Sequence, residues 1–298
     1  VRLGLEGWFT LSVRRGGEER CRLRFRNVIT DAGLNALGTD GLLAQLMWAA
    51  AGTGNTTPSE SQTALVTEVG SRSDDNGGLD DTFAWAATYV SVTRQRVFAE
   101  GSLLGELAEL GLFSAATGGT MWSRVLITDD MGNPTTVEME ADDELVLLYE
   151  LRLYVPQVDV LGTVAIAGID YDFTVRACNY FDDDLWKSTL LEQLGVGSPA
   201  PPYATEDDAL VAIDADPPNE EVADSIAGAP YSAGSFRRRY RAVWDLGTAN
   251  FATGIGSVSI PLSDDPLPHF QVAFSPKIPK TDERKLKLTF AVTFGRHS

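Results

Sequence analysis

Lys285-Leu286-Lys287-Leu288-Thr289-Phe290-Ala291-Val292-Thr293-Phe294 is the stretch that decides the fold class. An extended chain turns successive side chains to opposite faces, so Leu286, Leu288, Phe290, Val292 and Phe294 share one face and the polar residues take the other. Such a strand lies over a core on one side only. Arg22-Leu23-Arg24-Phe25-Arg26 repeats the pattern on a shorter scale. Further runs rich in β-branched and aromatic residues occupy 7–13, 85–98, 121–128, 144–155, 163–177, 240–245 and 270–274, with Gly, Pro, Asn and Asp clusters between them.

Asp129-Asp130-Met131-Gly132-Asn133-Pro134 has the composition of a hairpin connection: short polar side chains that bond their own backbone, and a glycine free to take positive φ. Helical signals are few and short. Thr30 or Asp31 caps a segment over 32–37, Asp183 or Asp184 caps one over 185–194, and Thr205-Glu206-Asp207-Asp208 caps a short one through Ile213. The segment 195–234 gathers Pro199, Pro201, Pro202, Pro217, Pro218 and Pro230 among acidic and small residues, and reads as a long irregular insertion or arm. The expected fold is mainly β: an antiparallel, jelly-roll-like β-sandwich with few short helices and a Pro-rich insertion. Length alone permits one large β domain or two smaller ones, and the expectation is a single elaborated domain over 1–298.

Of the 298 residues 44% are hydrophobic, enough for a real core, and the formal charge of -18 repels a phosphate backbone. The one compact basic run, Phe236-Arg237-Arg238-Arg239-Tyr240-Arg241, reads as a strand whose arginines face carboxylates, so no nucleic-acid partner is expected. Cys21 and Cys178 form no disulfide framework or metal knuckle. The opening Val1-Arg2-Leu3-Gly4-Leu5-Glu6 carries no signal peptide, and no apolar run suits a membrane helix, so no membrane insertion is expected.

Nucleophilic chemistry of the Ser-His-Asp kind needs an imidazole, and only His269 and His297 supply one. No G-x-S-x-G elbow surrounds a serine, and two histidines leave a zinc site short of ligands. Asp74-Asp75-Asn76-Gly77-Gly78-Leu79-Asp80-Asp81 resembles a calcium loop in its oxygens and glycines, but departs from EF-hand spacing and reads as an acidic surface loop. Asp182-Asp183-Asp184 reads as a capping turn, and Gly52-Thr53-Gly54-Asn55 as a flexible loop. No catalytic, cofactor-binding or metal-binding residue is assigned, and no enzymatic turnover is expected.

A series of phrases carries a resemblance. In order they are Asn27-Val28-Ile29-Thr30-Asp31-Ala32-Gly33-Leu34, Ala51-Gly52-Thr53-Gly54-Asn55-Thr56-Thr57-Pro58, Thr63-Ala64-Leu65, Glu106-Leu107-Ala108-Glu109-Leu110-Gly111-Leu112-Phe113 and Met121-Trp122-Ser123-Arg124, with Phe274-Ser275-Pro276-Lys277-Ile278-Pro279-Lys280-Thr281 near the end. Over residues 25–155, and more loosely over the last thirty or so, the chain resembles structural proteins of tailed-bacteriophage virions, the β-rich tail-fibre, neck and baseplate-associated proteins. The resemblance implies a sandwich-like subunit of a symmetric homo-oligomer, located in the virion and docked to other virion proteins. Two alternatives stand beside it: a module recognising host-surface glycans through Trp85, Trp122, Trp186 or Tyr203, and a glycan hydrolase built on paired carboxylates. An arm over 195–234 would matter more to assembly than to folding.

Overall fold

The computed structural model describes residues 1–178, 200–261 and 269–297, and of Trp85 and His269 the backbone alone. The described chain is mainly β, with one α-helix and one short 3-10 turn. The expectation of a β-rich fold with few short helices holds. Contacts divide the chain into two compact units, Gly4–Tyr154 with the residues from Gly295 onward, and Val1–Leu3 with Val155–Phe294.

The first unit contains β1 (Arg2–Arg15), β2 (Glu18–Arg26), β3 (Val28–Ile29), α1 (Asp31–Asp40), β4 (Trp48–Gly52), β5 (Glu68–Ser73), β6 (Thr82–Trp85), β7 (Tyr89–Phe98), β8 (Gly105–Leu107), β9 (Glu109–Phe113), β10 (Met121–Leu126), β11 (Val137–Met139) and β12 (Asp143–Tyr154). One antiparallel sheet runs β2-β1-β12-β7-β6, another β3-β10-β9-β4-β5, and β8 pairs with β11. The period-two pattern sets the register of the first sheet. Phe9 lies opposite Tyr149, Leu11 opposite Leu147 and Val13 opposite Leu145, all buried. Each such side chain stabilises the fold by about 1.5–3 kcal/mol, and a slip by one residue would turn the whole row to solvent. Arg24 and Arg152 approach the Trp8 ring at 5.0 and 5.5 Å, and Arg24 also binds Glu150.

Helix α1 begins where the sequence places it. The Thr30 hydroxyl accepts from Gly33 N at 2.9 Å, and the helix stops at Gly41, whose φ is 77°. The Asp129–Asn133 turn also forms, with Asp129 Oδ1 accepting from Met131 N and Asn133 N, but it does not join a pair of long strands. β10 pairs with β9 and β3, β11 pairs with β8, and the turn closes on the isolated bridge Thr128–Pro134. Pro134 lacks the N–H that would carry a ladder onward.

The second unit holds β13 (Val160–Ile166), β14 (Ile169–Cys178), β15 (Tyr203–Thr205), β16 (Glu221–Val222), β17 (Ser225–Gly228), β18 (Arg237–Trp244), β19 (Ile255–Pro261), β20 (His269–Ile278) and most of β21 (Leu286–Arg296). Its antiparallel sheets run β13-β14-β20-β19-β15-β16 and β17-β18-β21. β21 follows the expected alternation in part: Leu286, Leu288 and Phe294 are buried and Lys287 and Thr289 exposed, while Phe290, Ala291, Val292 and Thr293 are all half-buried. The basic run 236–241 falls mostly on β18, between β17 and β21. The stretch 163–177, read as one strand, is a hairpin that turns at Ala167-Gly168, with φ of 51° and 81°.

The Pro-rich segment departs from its expected irregularity. Residues 195–199 and the helix expected over 185–194 lie outside the described residues. From Ala200 onward the segment supplies β15, which pairs with β19 and β16, and β17, which pairs with β18. No helix starts at Thr205. That residue is the last of β15, paired with Ser257, and its hydroxyl accepts from Asp207 N while Asp207 Oδ1 accepts from Ala209 N. Side-chain bonds of this kind hold the backbone in turns in place of a helix.

Candidate functional site

The resembling phrases of the first unit meet around one buried ion pair, while Phe274–Thr281 belongs to the second unit. Glu109 opens β9 and Arg124 lies on β10; both side chains are fully buried, with Arg124 Nε 2.6 Å from Glu109 Oε2. Glu109 also accepts from the backbone N–H groups of Gly54 (3.1 Å), Val66 (3.2 Å) and Thr67 (2.9 Å). Arg124 Nη1 donates to Gln62 Oε1 at 2.9 Å, and the same oxygen accepts from Ser59 N. Two charges removed from water are tolerated only when paired and hydrogen-bonded, and here they are spent on the backbone of the loop 53–67.

The glycines of that loop follow from this closeness. A Cβ on Gly54 would stand 2.4 Å from Glu109 Oε1, and one on Gly52 would stand 2.5 Å from the carbonyl oxygen of Thr67. Leu65 pins the far side, packing with Ala50, Phe113 and Met121. Between these anchors Asn55, Thr56, Thr57, Ser59, Glu60 and Ser61 are exposed. The loop expected to be flexible is thus tied down at Gly54, Gln62, Leu65, Val66 and Thr67, presenting polar side chains on a fixed backbone.

The first phrase supports the same region. Thr30 N donates to the carbonyl of Trp122 at 2.9 Å, Asp31 N donates to that of Glu60 at 2.7 Å, and Arg296 binds the carboxylates of both Asp31 and Glu60. Trp122 Nε1 donates to Tyr149 Oη at 2.8 Å, and Asn27 Nδ2 donates to the same oxygen. Burial pushes the Tyr149 phenol up to about 12. A second cluster centres on Asp143, whose carboxylate takes bonds from Arg15, Arg20 and the backbone N–H of Glu140; the Arg15 guanidinium above all holds it well below the usual carboxylate range.

The residues weighed for chemistry are scattered. His297 stacks on Tyr154 at 3.6 Å, and its backbone N–H donates to Leu5 O. In the acidic loop, Asp75 and Asn76 accept from the N–H groups of Gly77 and Gly78, and Asp81 is paired with Arg94. Among the described residues no group of three or more His, Cys, Asp and Glu is placed to hold a metal ion. Trp122, considered for stacking on sugars, is wholly buried and turned to Tyr149, and Tyr203 is half-buried on β15. Trp186 and Asp182-Asp183-Asp184 lie outside the described residues. Cys21 is half-buried and Cys178 buried, neither in a disulfide, and burial pushes the Cys178 thiol up to about 12.

The second unit contains an apolar cavity of about 610 Å³, lined among others by Phe173, Val175, Phe270, Phe274, Leu288 and Phe290. No protein-family model matches the chain, and neither does any curated protein or solved structure.

The sequence did hold a signal for the ion pair. Glu109 interrupts an apolar run on β9 and Arg124 interrupts one on β10, and a charge inside a buried strand needs a partner. Pairing the two required the register that places Arg124 beside Gly111, which sequence spacing does not give.

Proposed function

We propose that the chain is a structural subunit of a tailed-phage virion, in its tail, neck or baseplate region, which self-assembles and docks to other particle proteins through its surface. In this reading each unit is a β-sandwich module, and the protein performs no turnover. The observation that carries it is the convergence of the first unit's resembling phrases on the Glu109–Arg124 pair, whose bonds to Gly54, Val66, Thr67 and Gln62 tie the loop 53–67 to β9 and β10. Glu109 takes four donors, three of them backbone N–H groups of the loop. What the arrangement delivers is a rigid display of the exposed loop residues 55–61. Conserving loop shape in this way suits docking, because a loop already ordered loses little entropy on binding.

A nonsense mutation in the gene tests the reading. If the chain is a structural subunit, a host that does not suppress the mutation yields incomplete or non-infectious particles, and supplying the protein in trans restores them. Normal yields of complete, infectious particles without the chain would contradict it.

A further inference from the structure

We infer that β13 is a self-association edge, on which a second copy of this chain adds its own β13 antiparallel about a two-fold axis at Thr163. The inference rests on the reading of the chain as a self-assembling subunit and names the surface. An exposed edge strand offers unpaired N–H and C=O groups, and proteins blunt such edges by shortness, charge or cover. Among the described residues the other edges are blunted. β2 opens on Glu18 and Glu19 and then carries an arginine at every second position, β5 carries Glu68, Gly70 and Arg72, β6 and β17 have four residues each, β8 and β11 three each, and β3 and β16 two each. β13 has seven residues, Val160-Leu161-Gly162-Thr163-Val164-Ala165-Ile166, with no charge and no proline. Among the described residues it pairs only with β14 and ends its sheet. Leu161 is 75% exposed and Val160 39%.

The hairpin fixes which groups point outward. Its two-residue turn makes Ile166 and Ile169 a hydrogen-bonded pair, so Val164, Gly162 and Val160 also bond inward to β14. The N–H and C=O groups of Leu161, Thr163 and Ala165 therefore face away from the sheet. Laid against itself antiparallel with Thr163 on the axis, the strand sets Leu161 opposite Ala165 of the second copy, and each facing pair exchanges both bonds. Gly162 does not break the strand, because the Phe173 ring covers it where a Cβ would sit.

Self-complementarity selects a second copy as occupant: about Thr163 the strand meets its own outward-facing N–H and C=O groups, and no like charges fall opposite each other. Two chains of -18 each repel over most of their surfaces, and an uncharged strand is where they can meet. The nearest flanking acid, Asp159, is held by Arg176 at 2.8 Å and falls opposite Ala167 in this register. A seven-residue pairing is smaller than a standard interface, so association depends on concentration, and it strengthens as salt screens the repulsion.

Sedimentation equilibrium of the full chain over a range of protein and salt concentrations, alongside Thr163→Lys, is the test. Thr163 is exposed, and the substitution sets two like charges face to face on the axis, so we expect a dimer that Thr163→Lys weakens roughly tenfold or more. Circular dichroism checks that the variant is folded. In a Cys21→Ser background, oxidation should cross-link Thr163→Cys into dimers, and cross-link Leu161→Cys and Ala165→Cys far less. A chain monomeric at every concentration, a multimer indifferent to Thr163→Lys, or cross-linking not centred on 163 would each overturn the inference. The last two outcomes leave the virion reading standing, and the first leaves it to be judged on particles.

Discussion

Glu109 and Arg124 are charges inside a core, and removing either strands the other. Glu109→Gln keeps the shape but leaves the guanidinium without a countercharge, and Arg124→Met leaves a buried carboxylate with three backbone donors. Breaking a buried pair by one partner costs about 3–5 kcal/mol, and we expect both variants in that range by urea unfolding. The loss should also show locally, as faster amide exchange at Gly54, Val66 and Thr67. Cost at the level of a surface salt bridge, about 0–1 kcal/mol, would contradict the role given to the pair. The cysteines offer a second check at this scale. Cys178 is buried with its thiol pushed up to about 12, so in native protein a thiol reagent should label Cys21 first and reach Cys178 only on unfolding.

Gly33 joins the residue scale to its element. It lies inside α1, where alanine is intrinsically better by about 1 kcal/mol. Yet a Cβ there would stand 2.7 Å from the Trp122 carbonyl oxygen and 2.9 Å from its Cα, both backbone atoms. The collision outweighs the propensity, and Gly33→Ala should destabilise by about 1–3 kcal/mol; a gain in thermal midpoint would show that the helix and β10 have room. At the scale of elements much was legible. The alternation of 285–294 became β21 and Thr30 became the cap it resembled. The hairpin within 163–177 was hidden because its turn uses Ala167, a residue that rarely takes positive φ, in place of the usual Asn or Asp. β15 and β17 were hidden because proline-rich composition masks strands of three and four residues whose pairing partners lie far along the chain. Trp122 shows a different limit, since composition marks an aromatic but not which way it faces. The strands in 200–228 also revise the expected effect of removing 195–234: deletion should cost folding stability, measurable as a lower thermal midpoint, because β15 and β17 pair with β19 and β18.

For the whole molecule, charge and acidity act together. Asp143 is the clearest depressed carboxylate, and a carboxyl whose folded pKa lies below its unfolded value contributes stability that is present above the unfolded pKa, about 4, and lost as pH falls through the folded value. Denaturant midpoints should therefore drop steadily on acidification below about pH 4, and Asp143→Asn should flatten part of that slope. Below the pI of 4.4 net positive charge also builds up, so the difference between the native chain and Asp143→Asn is what isolates the share of the cluster. A midpoint that rises through this range would contradict the cluster around Asp143. The same charge bears on assembly, because an acidic subunit joins its copies only across surfaces that carry little charge or meet an opposite one.

The central claim is that this chain is built into a particle. On the proposed reading, the most direct measurement is the copy number of the chain in density-purified virions of a phage whose genome carries its gene, by quantitative mass spectrometry against the major capsid protein. The account predicts a fixed, small, integral number of copies per particle that survives high-salt washing and tracks the tail when heads and tails are separated. Absence from washed particles, or an amount that varies between preparations while infectivity holds, would contradict it.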